Sequence, residues 1–310
     1  MFSFTLSRQT VTSFDGTPLG VQTIASEDTP ADAPFLLLAN GLGATVTAYR
    51  YLLSRFSRTF RFVSWDYRGL YGSGRPVGGY QTLDVASHAR DALAVLDALG
   101  LGEVHALGWS MGVQVLIELY RAAPDRFATL VLHNGVAGRP WDSVGGTERL
   151  KQLVDPVLEA SQRVDFLIER AVARVVDWEG FLPLAMRAGL VSRELDREVF
   201  LDVAGGFKSL DMHLYIELLR CLGRHDAFDV LPQIAVPTLI LQGAKDVLTP
   251  LAVAERMARA IPGAQLTVLP GGTHYAAVEM PHELNRHLAR FWDVAGLDVT
   301  DGRDAPGSGR

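Results

Sequence analysis

The stretch that decides the fold is Val104-His-Ala-Leu-Gly108-Trp109-Ser110-Met111-Gly112, in which a short apolar run leads into the pattern Gly-x-Ser-x-Gly. The residues that follow, Val113 to Tyr120, carry apolar side chains at helical spacing. In a nucleophile elbow, a serine occupies a sharp turn between a buried strand and a helix. Glycines suit the flanking positions because larger side chains would collide with the strained serine. The stretch therefore predicts a strand, an elbow at Ser110 and a helix.

Strands and helices alternate on both sides of this elbow. Phe35-Leu-Leu-Leu-Ala39 is continuously apolar, which is typical of a strand buried on both faces. The pattern predicts a hairpin at 4–14 and 19–24, and strands at 35–39, 60–65, 104–107, 129–133, 236–241 and 266–269. It predicts helices at 82–99, with Thr82 as the N-cap, and at 111–123, 250–260 and 281–292. This alternation indicates a parallel α/β sheet.

The alternation stops between residues 137 and 228, where only helical spacing is found, at 150–157, 165–176, 193–203 and 211–222. Because strands resume afterwards, this block is inserted into one sheet domain. We expect a core formed by residues 1–136 and 229–310, with residues 137–228 as a helical cap. Residues 295–310 are rich in Gly and Asp, so we expect a disordered tail there.

Composition excludes several classes of protein. The 310 residues carry a net charge of -6, which argues against nucleic acid or an anionic membrane as the main partner. The single cysteine, Cys221, excludes an intrachain disulfide and a cysteine-based zinc site. Neither a secretory signal nor an apolar run of bilayer length is present. We expect a soluble, cytoplasmic protein that acts on a small molecule, while its oligomeric state is not indicated.

A serine nucleophile needs a base that is itself oriented by an acid, and elbow folds place both later in the chain, acid before histidine. Asp246 follows the predicted strand at 236–241, and His274 follows the one at 266–269. Catalytic groups gather at such strand ends in open α/β sheets. Asp246 alone could be a helix cap, and His274 alone a loop hydrogen-bonding group. Their order and placement favour a triad of Ser110, Asp246 and His274.

Hydrolysis at a carbonyl also needs an oxyanion hole made of backbone N–H groups. We expect the N–H of Met111 and that of Leu42, in the loop Asn40-Gly41-Leu42-Gly43, to form it. Gly41 would let this loop approach the substrate closely. Trp109 is either a pocket wall or core packing. From the helical block we select Trp141, Phe181 and Met212 as candidates for an apolar pocket above Ser110.

These motifs together resemble the α/β-hydrolase fold family over residues 10–292, roughly the whole chain. Asn40-Gly-Leu-Gly43 stands where the family usually has His-Gly, Asp66-Tyr-Arg-Gly69 resembles its Asp-x-Arg-Gly loop, and Gly271-Gly-Thr-His274 precedes Glu279-x-Pro281. The resemblance implies a mostly parallel eight-stranded sheet flanked by helices, with an inserted all-helical cap. It is closest to serine esterases and lipases. Family haloalkane dehalogenases and epoxide hydrolases have Asp where this chain has Ser110, so it should be neither.

The expected function is hydrolysis of carboxylic esters of a small to medium, largely apolar substrate through an acyl-enzyme intermediate. The same triad would also serve a carbon–carbon bond hydrolase, an acyltransferase or a perhydrolase. A binding protein without catalytic activity is a further alternative. No cofactor is expected, because nucleotide-binding loops are missing. No metal is expected either, because His282-Glu283-Leu284-Asn285-Arg286 lacks the second histidine of a zinc motif.

Overall fold

A mixed sheet of eight strands forms the centre of the computed structural model, which describes residues 4–143 and 148–299. The strands are β1 (Phe4–Thr12), β2 (Pro18–Ser26), β3 (Phe35–Ala39), β4 (Arg61–Trp65), β5 (Val104–Trp109), β6 (Phe127–His133), β7 (Thr238–Gly243) and β8 (Gln265–Leu269). Their order in the sheet is β1-β2-β4-β3-β5-β6-β7-β8. Strands β3 to β8 are parallel, and β1 and β2 are antiparallel to their neighbours. This confirms the predicted, mostly parallel sheet.

Helices cover both faces of this sheet. They are α1 (Arg50–Arg55), α2 (Val85–Ala98), α3 (Met111–Ala122), α4 (Pro140–Ser143), α5 (Glu148–Ser161), α6 (Asp165–Val176), α7 (Phe181–Arg187), α8 (Arg197–Gly206), α9 (Met212–Arg224), α10 (Leu251–Ala260), α11 (Ala276–Glu279) and α12 (Pro281–Val294). Helices α2, α3 and α10 contribute to the apolar core on one face, and α1 and α12 to the core on the other. Every residue of β5 and β7 is therefore buried. Within the described ranges, no helix combines the length and the apolar character needed to cross a membrane.

The observed helices differ from the sequence prediction in their boundaries and in their number. Helix α2 begins at Val85 rather than Thr82, because the carboxylate of Asp84 accepts a hydrogen bond from the N–H of Ser87 and caps the helix. Between β6 and β7 the described chain is helical, from α4 to α9. The short helices α4 and α7 were not predicted, since four and seven residues show too little periodicity.

Residues 295–299 of the expected disordered tail have a defined structure. The N–H of Leu297 donates to the carbonyl of Trp292 over 2.9 Å, and Val299 is only 3% exposed. Both side chains contact the apolar cluster around Trp292. Residues 295–299 therefore pack on the sheet domain, and residues 300–310 of the predicted tail lie outside the described residues.

A buried ion-pair network fixes the loop after β4. The guanidinium of Arg68 is completely buried and donates to Asp91 Oδ2 over 2.8 Å and to Asp15 Oδ2 over 3.0 Å. Although burial alone would lower it, these two carboxylates raise the pKa of Arg68 above its ordinary value. Removing one partner would leave an unpaired buried charge, which is strongly destabilising. The loop is therefore held firmly at Arg68.

Three buried histidines make the fold sensitive to acid. Burial lowers the pKa of His88 from 6.5 to about 3, and those of His105 and His133 to about 4. As the pH falls below about 6.5, the unfolded chain binds protons at these rings while the folded chain does not, so the free energy of unfolding decreases. For each ring the loss is about 2 kcal/mol at about pH 5.

We expect His105→Gln to reduce the difference between the free energies of unfolding at about pH 7.5 and about pH 5 by about 2 kcal/mol, as measured by urea titration. The control is His282→Gln, which changes an exposed histidine and should leave the wild-type difference intact. A His105→Gln protein with the full wild-type difference would contradict the prediction.

Candidate active site

Ser110 occupies a strained position between β5 and α3. Its φ is 56°, in the left-handed region that non-glycine residues rarely adopt. Close packing around it requires glycine: a Cβ on Gly112 would lie 2.0 Å from the carbonyl oxygen of Ala39. A Cβ on Gly108 would lie 2.5 Å from the carbonyl oxygen of Gly112. The predicted elbow is thus present, with Ser110 at the carboxyl end of the parallel strands.

The structure brings the three residues of the predicted triad together. His274 follows β8 and Asp246 follows β7, and both loops lie at the same edge of the sheet as Ser110. The hydroxyl Oγ of Ser110 lies 3.0 Å from His274 Nε2. On the other side of the ring, His274 Nδ1 lies 2.8 Å from Asp246 Oδ2. These distances form one continuous hydrogen-bonded chain.

Asp246 is surrounded by hydrogen-bond donors. Its Oδ2 accepts from the hydroxyl of Thr249 over 2.6 Å, and its Oδ1 accepts from the N–H groups of Leu248 and Thr249 over 2.8 and 2.9 Å. Burial alone would raise the pKa of Asp246, but His274 and the Thr249 donors hold that pKa below its ordinary value. An ionised Asp246 requires the proton of neutral His274 on Nδ1. Nε2 is then free to accept the proton of Ser110.

The backbone of His274 is also held from two sides. Its carbonyl oxygen accepts from Trp109 Nε1 over 3.0 Å and from Asn134 Nδ2 over 3.1 Å. Asn134 is completely buried with a φ of 43°, and its Oδ1 accepts from the N–H of Gly243 over 2.7 Å. This side chain therefore joins the loop of His274 to the end of β7. The sequence signal for Asn134 is only its place at the end of β6.

Glu279 holds the same loop through hydrogen bonds to Thr273. Its buried carboxylate accepts from the N–H and the hydroxyl of Thr273 over 2.8 and 2.7 Å. It also accepts from the N–H of Ser192, in the helical region, over 2.6 Å. The family resemblance had marked Glu279 only as part of a matching segment. In the structure, Glu279 joins the loop of His274 to the helical region.

Two backbone N–H groups are available beside Ser110. Gly41 lies so close that a Cβ there would contact Ser110 Cβ at 3.4 Å, and the next residue is Leu42. The N–H of Leu42 has no hydrogen-bond acceptor within the part of the chain that the structure describes. Met111 is the first residue of α3, so its N–H has no acceptor inside the helix. Both predicted donors are thus unengaged.

The predicted substrate-binding side chains have different surroundings. The ring of Trp109 packs 5.7 Å from that of His274, so this residue is both core packing and a neighbour of the site. Phe181 stacks on Phe200 at 5.9 Å. Met212, the first residue of α9, is 3% exposed and lies in the apolar core.

Trp141 packs against α9, since a Cβ on Gly223 would lie 1.7 Å from its Nε1. The structure gives Met212 and Trp141 packing roles, and their contact with substrate stays a prediction without structural support. The helical region reaches the site instead through Phe207 and Tyr215. A Cβ on Gly43 would lie 2.7 Å from the ring of Phe207 and 3.0 Å from that of Tyr215. Sequence analysis did not select Phe207 or Tyr215 from this block, because helical spacing does not show which face meets the loop.

Among residues 4–143 and 148–299, no three His, Cys, Asp or Glu side chains are grouped so that they could hold a metal ion. The buried carboxylates beside the loop of His274 are those of Asp246 and Glu279. Each accepts hydrogen bonds from protein groups, as described above. Both carboxylates are therefore engaged by hydrogen-bond donors of the protein.

Comparison with known proteins adds three relatives and a family. The model of the alpha/beta hydrolase family matches residues 36–287. The chain is 28% identical over 262 residues to a putative carbamate hydrolase RutD from Caulobacter sp. (strain K31), covering 84% of this chain and 91% of that protein. It is 25% identical over 265 residues to 3-oxoadipate enol-lactonase 2 from Acinetobacter baylyi, covering 82% and 87%. The crystal structure of a hydrolase from Pseudomonas aeruginosa PA01 is similar with a TM-score of 0.71 and 27% identity, covering 92% of this chain and 98% of that one.

We expect Gly112→Ala to lower the free energy of unfolding by about 3 kcal/mol or more, because the new methyl group collides with the Ala39 carbonyl. Urea titration measures the loss, and a failure to fold would be its extreme form. The matched control is Gly205→Ala in α8, where a Cβ meets nothing within 4 Å. There we expect an increase of about 0.5–1 kcal/mol. Equal effects of the two substitutions would contradict the prediction.

Proposed function

Because the chain belongs to the alpha/beta hydrolase family, we propose that it is a serine hydrolase that cleaves carboxylic esters through an acyl-enzyme intermediate. One observation carries the proposal. The hydrogen-bonded chain from Ser110 through His274 to Asp246 lies beside the unengaged N–H groups of Leu42 and Met111. This arrangement supports the roles of nucleophile, base, acid and oxyanion donors that the proposal assigns to these groups.

In the first step, Ser110 Oγ attacks the ester carbonyl carbon while His274 Nε2 takes the hydroxyl proton. The carbonyl π electrons move to the oxygen, which becomes the oxyanion and accepts from the N–H groups of Leu42 and Met111. Ionised Asp246 stabilises the imidazolium through Nδ1. The buried, hydrogen-bonded carboxylate needs no rearrangement as this charge appears.

In the second step, the tetrahedral intermediate collapses and His274 donates its proton to the leaving alcohol oxygen. The acyl group then remains on Ser110. Water attacks this acyl-enzyme with His274 again as base, and the carboxylic acid and Ser110 are released. Each proton that His274 accepts is returned within the same half of the cycle.

The substrate proposed for this site is small to medium in size and largely apolar. Trp109, Phe207 and Tyr215 surround the elbow and the oxyanion loop with aromatic surface. Residues 137–228 act as the cap in this proposal, because Phe207 and Tyr215 belong to them. The names of the relatives also suit an ester, since a lactone is a cyclic ester and a carbamate carries an acyl carbonyl.

We expect Ser110→Ala to lower kcat for 4-nitrophenyl esters by about a thousandfold or more, with the free energy of unfolding retained. The same substitution should abolish covalent labelling by a fluorophosphonate probe, followed by intact-protein mass spectrometry. Ser209→Ala, on the surface of the helical region, is the matched control and should keep both properties. Near-normal turnover by Ser110→Ala would overturn the assignment of the nucleophile.

We expect Asp246→Asn to lower kcat by about a thousandfold to ten-thousandfold with little change in KM, because an amide cannot stabilise the imidazolium or hold its reactive tautomer. Steady-state kinetics measure the change, and Asp125→Asn at an exposed site is the control. If Asp246→Asn altered KM alone, the carboxylate would not be acting through His274.

A further inference from the structure

Tyrosine hydroxyl groups hold the backbone carbonyls of the oxyanion loop, residues 39–44. Three tyrosines take part, one just before α1 and two in the loop after β4, each donating to one carbonyl oxygen. The pairs are Tyr49 with Ala39 at 3.0 Å, Tyr67 with Asn40 at 2.6 Å and Tyr71 with Gly43 at 2.5 Å. Because these carbonyls point toward the tyrosines, the loop has a fixed set of peptide orientations. The consequence for catalysis depends on which peptide each tyrosine holds.

Tyr71 adopts an unusual backbone conformation. Its φ is 47°, in the left-handed region that costs a non-glycine residue of this size about 1 kcal/mol or more. The buried ion pairs of Arg68 hold the same loop in place. The Tyr71 hydroxyl also lies close to the helical region, since a Cβ on Gly206 would be 2.9 Å from it. The strained Tyr71 therefore lies where its own loop meets the oxyanion loop and the helical region.

Planar peptide groups connect Tyr71 with the oxyanion donor. A trans peptide group directs its C=O and its N–H in opposite directions. The peptide whose oxygen, that of Gly43, accepts from Tyr71 has the N–H of Ala44 on its other side. This N–H donates to the oxygen of Gly41 over 3.0 Å. The peptide that carries the Gly41 oxygen has the N–H of Leu42 on its other side.

We propose that Tyr71 is a positioning residue for this reaction, acting through two peptide groups to fix and polarise the N–H of Leu42. The proposal rests on the proposed function, in which that N–H binds the oxyanion. Hydrogen bonds in a chain strengthen one another, so negative charge at the Leu42 end strengthens the bonds back to the phenol. The contribution is therefore larger in the transition state than in the ground state.

The phenol is in the right protonation state for this role. Burial, with a smaller contribution from Asp66, raises the pKa of Tyr71 above its ordinary value. The hydroxyl thus remains a donor throughout the neutral range. Phenylalanine at this position would keep the ring and remove only the hydrogen bond to Gly43.

The test is Tyr71→Phe. We expect kcat/KM for 4-nitrophenyl esters to fall about tenfold, with most of the change in kcat. This is less than the hundredfold or larger loss seen when a direct oxyanion donor is removed, because the N–H of Leu42 remains. Tyr120→Phe is the matched control, since its hydroxyl accepts from the N–H of Ala235 over 2.9 Å outside this loop. We expect it to keep wild-type kcat.

A pair of inhibitors separates positioning from a structural role. Ser110 Oγ adds to the carbonyl carbon of a trifluoromethyl ketone while His274 takes the hydroxyl proton. The resulting adduct carries an oxyanion in the oxyanion hole. The matching methyl ketone binds as the ground-state carbonyl. We expect Tyr71→Phe to weaken the first about tenfold and the second by less than about twofold.

Each alternative result has a distinct meaning. Equal weakening of both ketones, or unchanged kcat in an active enzyme, would overturn the role of Tyr71 while leaving the proposed function intact. A wild-type protein that neither cleaves esters nor reacts with a fluorophosphonate would overturn the proposed function, and the role of Tyr71 with it.

Discussion

The close approach of α3 to the end of β3 governs the geometry of the site. With Gly112 in van der Waals reach of the Ala39 carbonyl, the elbow and the loop after β3 share one wall. That contact brings the loop that carries Leu42 close to Ser110 and Met111, although they are far apart in sequence. It also explains why the glycines around Ser110 are needed. The strain of a left-handed serine persists because the two strands and the helix around it are buried on every side.

Around this contact, the supporting hydrogen bonds act mainly on backbone groups. Asn134 and Trp109 hold the carbonyl of His274, and Glu279 holds the N–H of Thr273. Tyrosines hold the carbonyls of the oxyanion loop. Side chains that bind a backbone in this way restrict the loops without occupying the space a substrate would need. Asp246 and His274 are buried, and Ser110 is the partly exposed member of the three.

Sequence reasoning could predict the sheet and the three central side chains, because both depend on local patterns. Continuous apolar runs mark β3 and β5, and Ser110, Asp246 and His274 each follow such a run. The supports could not be predicted in the same way. Whether Asn134 or Tyr71 meets a particular carbonyl depends on loop conformations that no spacing rule encodes, and Tyr71 adopts one that its residue type disfavours. Met212 and Trp141 show the same limit, since hydrophobicity alone does not separate core packing from a pocket wall.

The bonds of Glu279 and Thr273 have a mechanical consequence for the helical region. Four hydrogen bonds tie residues 190–196 to the sheet domain. They join the Ser192 N–H to Glu279, the Thr273 hydroxyl to the Leu190 carbonyl, the Asp196 N–H to the Val278 carbonyl, and the Tyr51 hydroxyl to the Asp196 carboxylate. Lifting this edge would pull on Thr273, and hence on the neighbouring His274. At another edge, Phe207 and Tyr215 rest on Gly43, and Arg75 forms an ion pair with Asp211 at the start of α9. One edge of the helical region is thus coupled to the loop of His274, and another edge to the oxyanion loop.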